Sequence, residues 1–164
     1  MPLPPWTKAA GDFAKRVLKT LDLKNWEISV LFCDNRYIKS LNAQYRNKDE
    51  ATDILSFPQG ETFPAGKGRF SGAGPYPAGD IVISLDALEE NARFFQVPVD
   101  EELRRLLVHG ILHLSGEDHA TNGTKEPMLK IQEEILTALA GERIEENASW
   151  NLNRLERSER RFPS

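Results

Sequence analysis

Apolar residues recur along the chain in two periods, and each period predicts an element. Phe13, Val17, Leu18 and Leu21 fall at helical spacing in Ala9–Leu21, behind a Pro-rich entry. Trp26, Ile28, Val30 and Phe32 alternate with polar or smaller residues, the period of a strand. Asp34 is suited to cap a helix running to about Tyr45, with Ile38 and Leu41 facing inward. The short apolar run Asp53–Phe57, ended by Pro58, and the run Asp80–Ser84 predict two more strands. Between them residues 59–79 are rich in Gly and Pro and predict a long loop. Ser84 is placed to cap a helix from Leu85 to about Phe95. Pro98 and Asp100 introduce another helix, carrying Leu103, Leu106, Leu107, Ile111 and Leu114 at helical spacing and stopped by Gly116. Glu126–Leu139 predicts a last amphipathic helix.

This order predicts an α/β (α+β) fold, with a small mixed sheet packed with helices in a single domain over 1–140. Residues 141–164 hold five acidic and five basic residues and predict a charged, solvated tail. Composition narrows the class. A chain of 164 residues with 40% hydrophobic and 28% charged residues can bury a core without disulfides, and its lone Cys33 cannot form one internally. No apolar run is long enough to span a bilayer, and the N-terminus lacks the pattern of a signal peptide, so a cytoplasmic location without membrane contact is expected. The formal net charge of −4 argues against a general nucleic-acid coat and leaves room only for a local binding patch.

The candidate chemistry lies in HGILHLSGEDH. All three histidines of the chain are here, spaced H-x3-H-x5-H. His109 and His113 are four apart on the predicted helix, so their rings share a face. Gly116 then lets the chain turn, and His119 can arrive as a third ligand. Three imidazoles with an open fourth position are the pattern of a catalytic zinc site at a helix end, where water is activated at neutral pH. Nickel, copper or iron suit the same ligands. Asp118 is the candidate proton acceptor or partner of a ligand. Metzincin proteases share this histidine and glycine spacing but carry Glu where Gly110 stands, so peptide hydrolysis is disfavoured. Gly110 is read as leaving a bare side of the helix that a bulky substrate can approach. Arg46, in the polar stretch before the second strand, is suited to bind phosphate or to form a surface salt bridge, and the residues alone leave both open. Asp53 and Asp80, each opening a predicted strand, are read as capping or turn residues.

Four segments together resemble the YbeY family of bacterial endoribonucleases. They are N-x-x-Y-R-x-K-D-x-x-T-D-x-L-S-F-P from Asn42 to Pro58, G-D-I-x-I-S from Gly79 to Ser84, H-G-x-L-H-L-x-G-x-D-H from His109 to His119, and M-x-x-x-Q-E-E-I-L from Met128 to Leu136. The resemblance spans Ile28–Leu139. It implies a metal-dependent, single-strand-specific endoribonuclease acting on ribosomal RNA, notably in maturation of the small-subunit RNA 3′ end, and in ribosome quality control. It implies zinc held by His109, His113 and His119, with Arg46 as the family's arginine. Single-stranded RNA, ribosomal RNA and the small ribosomal subunit are the implied partners, and DNA is not expected. The alternative is a ribosome-assembly factor whose metal is structural and whose catalysis is insignificant. Glu117 departs from the aromatic or apolar residue frequent in the family at that position, and puts a negative charge beside the expected metal.

Overall fold

The computed structural model describes residues 3–58, 74–117 and 126–144. Eight elements follow in the order α1 (Thr7–Thr20), β1 (Trp26–Cys33), α2 (Asn35–Arg46), β2 (Ile54–Pro58), β3 (Tyr76–Ser84), α3 (Leu85–Phe95), α4 (Val99–Leu114) and α5 (Pro127–Ala138). Among the described residues the sheet has three strands in the order β1-β3-β2, with β1 parallel and β2 antiparallel to β3. The mixed sheet and the packed helices are those the patterning predicts.

Local chemistry explains the element starts. The Asp34 side chain accepts from the Tyr37 backbone N–H at 2.8 Å and caps α2. The Ser84 hydroxyl does the same for α3, accepting from the Ala87 N–H at 3.2 Å. Helix α4 begins after Pro98 with Asp100, Glu101 and Glu102 in its first turn, negative charges placed at the positive end of the helix dipole.

Both faces of the sheet are covered. Along β3 successive side chains point to opposite sides. Ile81 and Ile83 join the larger core with α1, α3, α4 and α5, while Val82 joins a smaller one with Ile38 and Leu41 of α2. The molecule is therefore three layers, with α2 on one face of the sheet and α4 against the other. Helix α4 touches β2, β3, α1, α3 and α5, and Leu103, Leu107, Val108, Ile111 and Leu112 on it are essentially inaccessible. The folded unit continues past the last helix: Ile144 is buried and its backbone N–H donates to Asp100 Oδ1 at 2.6 Å. The remainder of the expected tail, 145–164, lies outside the described residues.

Strand β3 corrects the expected loop. Its pairing begins at Tyr76, so the residues from Tyr76 to Gly79 are sheet rather than loop. Proline and glycine there look like breakers in one dimension. In the sheet, Tyr76 packs on Trp26 at a ring distance of 5.6 Å, and the register slips between Glu27 and Ile28, leaving Ala78 unmatched as a bulge. Gly79 follows the bulge with φ +148°, and an added Cβ would lie 2.2 Å from the Phe57 carbonyl oxygen. Asp80 is likewise not a turn residue. It is buried inside β3, and its carboxylate accepts from the Ser29 hydroxyl across the β1–β3 pair. Asp53 takes neither a cap nor a turn role. Its side chain accepts from Asn91 at 2.9 Å and its carbonyl from the Ser84 N–H at 3.0 Å, which ties the start of β2 to the β3–α3 junction.

Gly79→Ala should cost on the order of 3 kcal/mol of stability or more, since it adds both a forbidden backbone angle and a clash with strand backbone. Urea denaturation of the variant beside wild type measures it, and an unchanged midpoint would remove the bulge argument.

Candidate metal centre

His109 and His113 sit on consecutive turns of α4 and face each other. Their Nε2 atoms are 3.1 Å apart, and the rings meet edge to face with centroids 4.7 Å apart. Two nitrogens bound to one tetrahedral metal at 2.0–2.1 Å would stand about 3.3–3.4 Å apart. The observed spacing is within a few tenths of an ångström of that, so the pair fits the group the spacing predicts. His109 Nδ1 lies 2.8 Å from Oε1 of Gln132, a buried residue of α5. Both imidazoles are half-buried.

The chain turns immediately after the second histidine. Gly116 adopts φ +98°, its N–H bonds the His113 carbonyl at 3.1 Å, and the Glu117 N–H bonds the Leu112 carbonyl at 3.0 Å. These two bonds around a left-handed residue make a Schellman ending. The predicted turn at Gly116 is therefore present. The expected third ligand His119 and the candidate Asp118 lie outside the described residues, and among the described residues no three His, Cys, Asp or Glu side chains are grouped so as to hold a metal ion.

Gly110 has a different role from the one its small size suggests. It is buried against the sheet, not open to a substrate: an added Cβ would meet Ile54 Cδ1 and Ile81 Cδ1, each at 3.0 Å. The missing side chain lets α4 approach β2 and β3 closely, and that approach fixes which way the neighbouring His109 points.

Arg46 lies at the C-terminal end of α2 and turns toward β2. Its Nη2 donates to the Ser56 carbonyl at 2.8 Å, Nη1 donates to the Tyr45 carbonyl at 3.2 Å, and the guanidinium sits 4.7 Å above the Phe57 ring. The Ser56 hydroxyl in turn comes within 3.5 Å of the Gly110 carbonyl. Arg46 is thus held on β2, the strand that packs beside the histidine turn of α4. Cys33, the lone thiol, is buried in the small core beside α2, and burial, reinforced by Asp34 and Asp86, pushes its pKa up to about 12. It stays a protonated, apolar filler.

A cleft of about 980 Å³ opens beside His109 between β2, α3, α4 and α5. Its polar wall was not anticipated from the sequence. Glu102, 2% exposed, accepts from Arg105 Nε at 3.0 Å and Nη2 at 2.6 Å, and from Asn91 at 3.1 Å, while Asn91 also donates to Asp53. Gln132 was missed too. The available signal was a polar residue in an apolar stripe, since Met128, Gln132 and Ile135 share the buried face of α5.

The fold and site define a small α+β protein whose central helix brings two imidazoles to a point beside an open cleft. A family model described as Endoribonuclease YbeY matches residues 4–140. An endoribonuclease YbeY of Treponema denticola is 55% identical over 127 residues, covering 76% of this chain and 78% of its own. One of Borreliella burgdorferi is 45% identical over 126 residues, covering 76% of this chain and 81% of its own. The solution structure of a protein from Thermotoga maritima aligns with a TM-score of 0.52 at 26% identity, covering 91% of this chain and 95% of that one. The chain belongs to the YbeY family of endoribonucleases.

Gly110→Ala should destabilise the protein by about 1–3 kcal/mol through overpacking against Ile54 and Ile81. A variant that lost only activity, with its denaturation midpoint unchanged, would restore the substrate-access role. Cys33 should resist a thiol reagent at pH 8 in the folded protein and react once denatured, whereas rapid labelling of the native chain would contradict its buried, protonated state.

Proposed function

We propose that this chain is a metal-dependent endoribonuclease that cleaves single-stranded RNA, acts in ribosomal RNA processing and ribosome quality control, and takes the small-subunit RNA 3′ end as a substrate. The observation that carries the metal part is the convergence of the His109 and His113 Nε2 atoms at 3.1 Å. Membership of a family whose relatives are named endoribonucleases supports the RNA part. Zinc is the proposed ion, with His119 as its third ligand and a fourth position left for water or substrate. When bound, the ion supplies Lewis acidity at a phosphoryl oxygen or at an attacking water.

The chain's own residues do the rest. Helix α4 presents both imidazoles from one rigid, buried element, so little reorganisation is needed when the site fills. Arg46 binds the scissile phosphate and stabilises charge building on its oxygens. Its contacts with the Ser56 carbonyl and the Phe57 ring hold the long side chain in place, which lowers the entropy lost on binding. Asp118 is the proposed proton acceptor. The lack of Glu at Gly110 turns the site away from peptide hydrolysis. A cytoplasmic setting at the ribosome fits the substrate, and among the described residues no helix is long and apolar enough to cross a membrane.

The direct test is metal content by mass spectrometry, with cleavage of a single-stranded RNA oligonucleotide measured on the same samples. Wild type should carry nearly one ion per chain and cleave internally. His113→Ala should lose both, its metal affinity falling by more than the ~10–100-fold that outer partners of a ligand contribute. Arg46→Ala should keep its metal and lose about 100-fold in cleavage rate. Wild type that carries metal and leaves RNA intact would refute the nuclease reading, and wild type without metal would refute the ligand assignment.

A further inference from the structure

Gln132 has no assigned part in the site, yet its placement is costly without one. It lies on the face of α5 that packs into the core, between Met128 and Ile135, and is 5% exposed. A buried amide with no partner costs about 1–3 kcal/mol on mutational scales, so such a residue needs a hydrogen bond. The bond observed joins its Oε1 to His109 Nδ1 at 2.8 Å.

That bond decides where His109 keeps its proton. A neutral imidazole has one N–H and one lone pair, and an amide oxygen only accepts. Facing Oε1, Nδ1 must be the donor, and the lone pair is left on Nε2, the atom that points at His113.

We infer that Gln132 is a positioning residue that presets His109 in its metal-ready tautomer, with the proton on Nδ1 and the lone pair on Nε2. The inference rests on the metal reading above and gives a buried residue of α5 a part in it. It also makes the docking of α5 part of the metal site, although α5 supplies no ligand. A partner that holds the second nitrogen of a ligating histidine typically contributes about 10–100-fold in metal affinity.

The tautomers can be seen directly. In the metal-free, ¹⁵N-labelled full chain at pH 8, long-range ¹H–¹⁵N correlation of the rings should show His109 protonated at Nδ1. Gln132→Leu keeps the volume and removes the acceptor, and Gln132→Glu keeps an acceptor. With folding checked by circular dichroism, Gln132→Leu should lose the Nδ1–H preference of His109 and bind zinc about 10–100-fold more weakly in competition with a chromogenic chelator. Gln132→Glu should restore both. Wild-type His109 protonated at Nε2 would overturn the inference, as would a Gln132→Leu variant with unchanged tautomer and affinity. Wild type that shows the predicted His109 tautomer but takes up no zinc would instead sink the metal reading on which the inference stands.

Discussion

The close approach of α4 to the sheet at Gly110 is the contact on which the site depends. With no Cβ at that position, the helix seats against Ile54 and Ile81, and its rotation about its own axis is set. A helix held on so many sides cannot turn to relieve a misplaced residue without opening the core. One residue before Gly110 and three after it, the two histidines then share one flank of α4, and His109 there meets Gln132 of α5. The same contact brings the Ser56 hydroxyl to the α4 backbone, so the strand that holds Arg46 and the helix that holds the imidazoles are aligned by packing alone.

Much of what makes the family segments recognisable is structural. Asn42 is buried and its amide donates to the Glu50 carbonyl at 2.9 Å, which pins the turn leading into β2. Tyr45 meets Phe57 edge to face at 5.5 Å, locking α2 onto β2. Asp53, Gly79, Asp80 and Ser84 each join two elements or relieve a close contact between them. A motif residue can therefore be indispensable without touching a substrate. Arg46 has such a structural part as well, since its contacts with the Ser56 carbonyl and the Phe57 ring attach α2 to β2.

The electrostatics of the cleft show the same economy. Glu102 is nearly inaccessible, and an isolated charge there would be expensive to bury. Two nitrogens of Arg105 and the Asn91 amide surround it, and Asn91 extends the network to Asp53. Three elements, β2, α3 and α4, are thereby fixed around the opening next to His109. The network shapes the wall of the cleft beside His109.

Element order, the caps at Asp34 and Ser84, the turn at Gly116 and the pairing of His109 with His113 were all legible in the sequence, because each is set by residues within a few positions of one another. Hydrophobic period, side-chain capping and helical spacing are local properties of a chain. The parts that were not legible all involve residues distant in sequence. Tyr76 to Gly79 became strand because Trp26 and its neighbours lay alongside, and Gly110 became a packing contact because Ile54 and Ile81 face it. Gln132 reached His109 from another helix, and Arg46 met Ser56 on a strand. A one-dimensional pattern states that a residue is polar or small; only the packed chain decides which partner it meets, because burial forces every such group to find one.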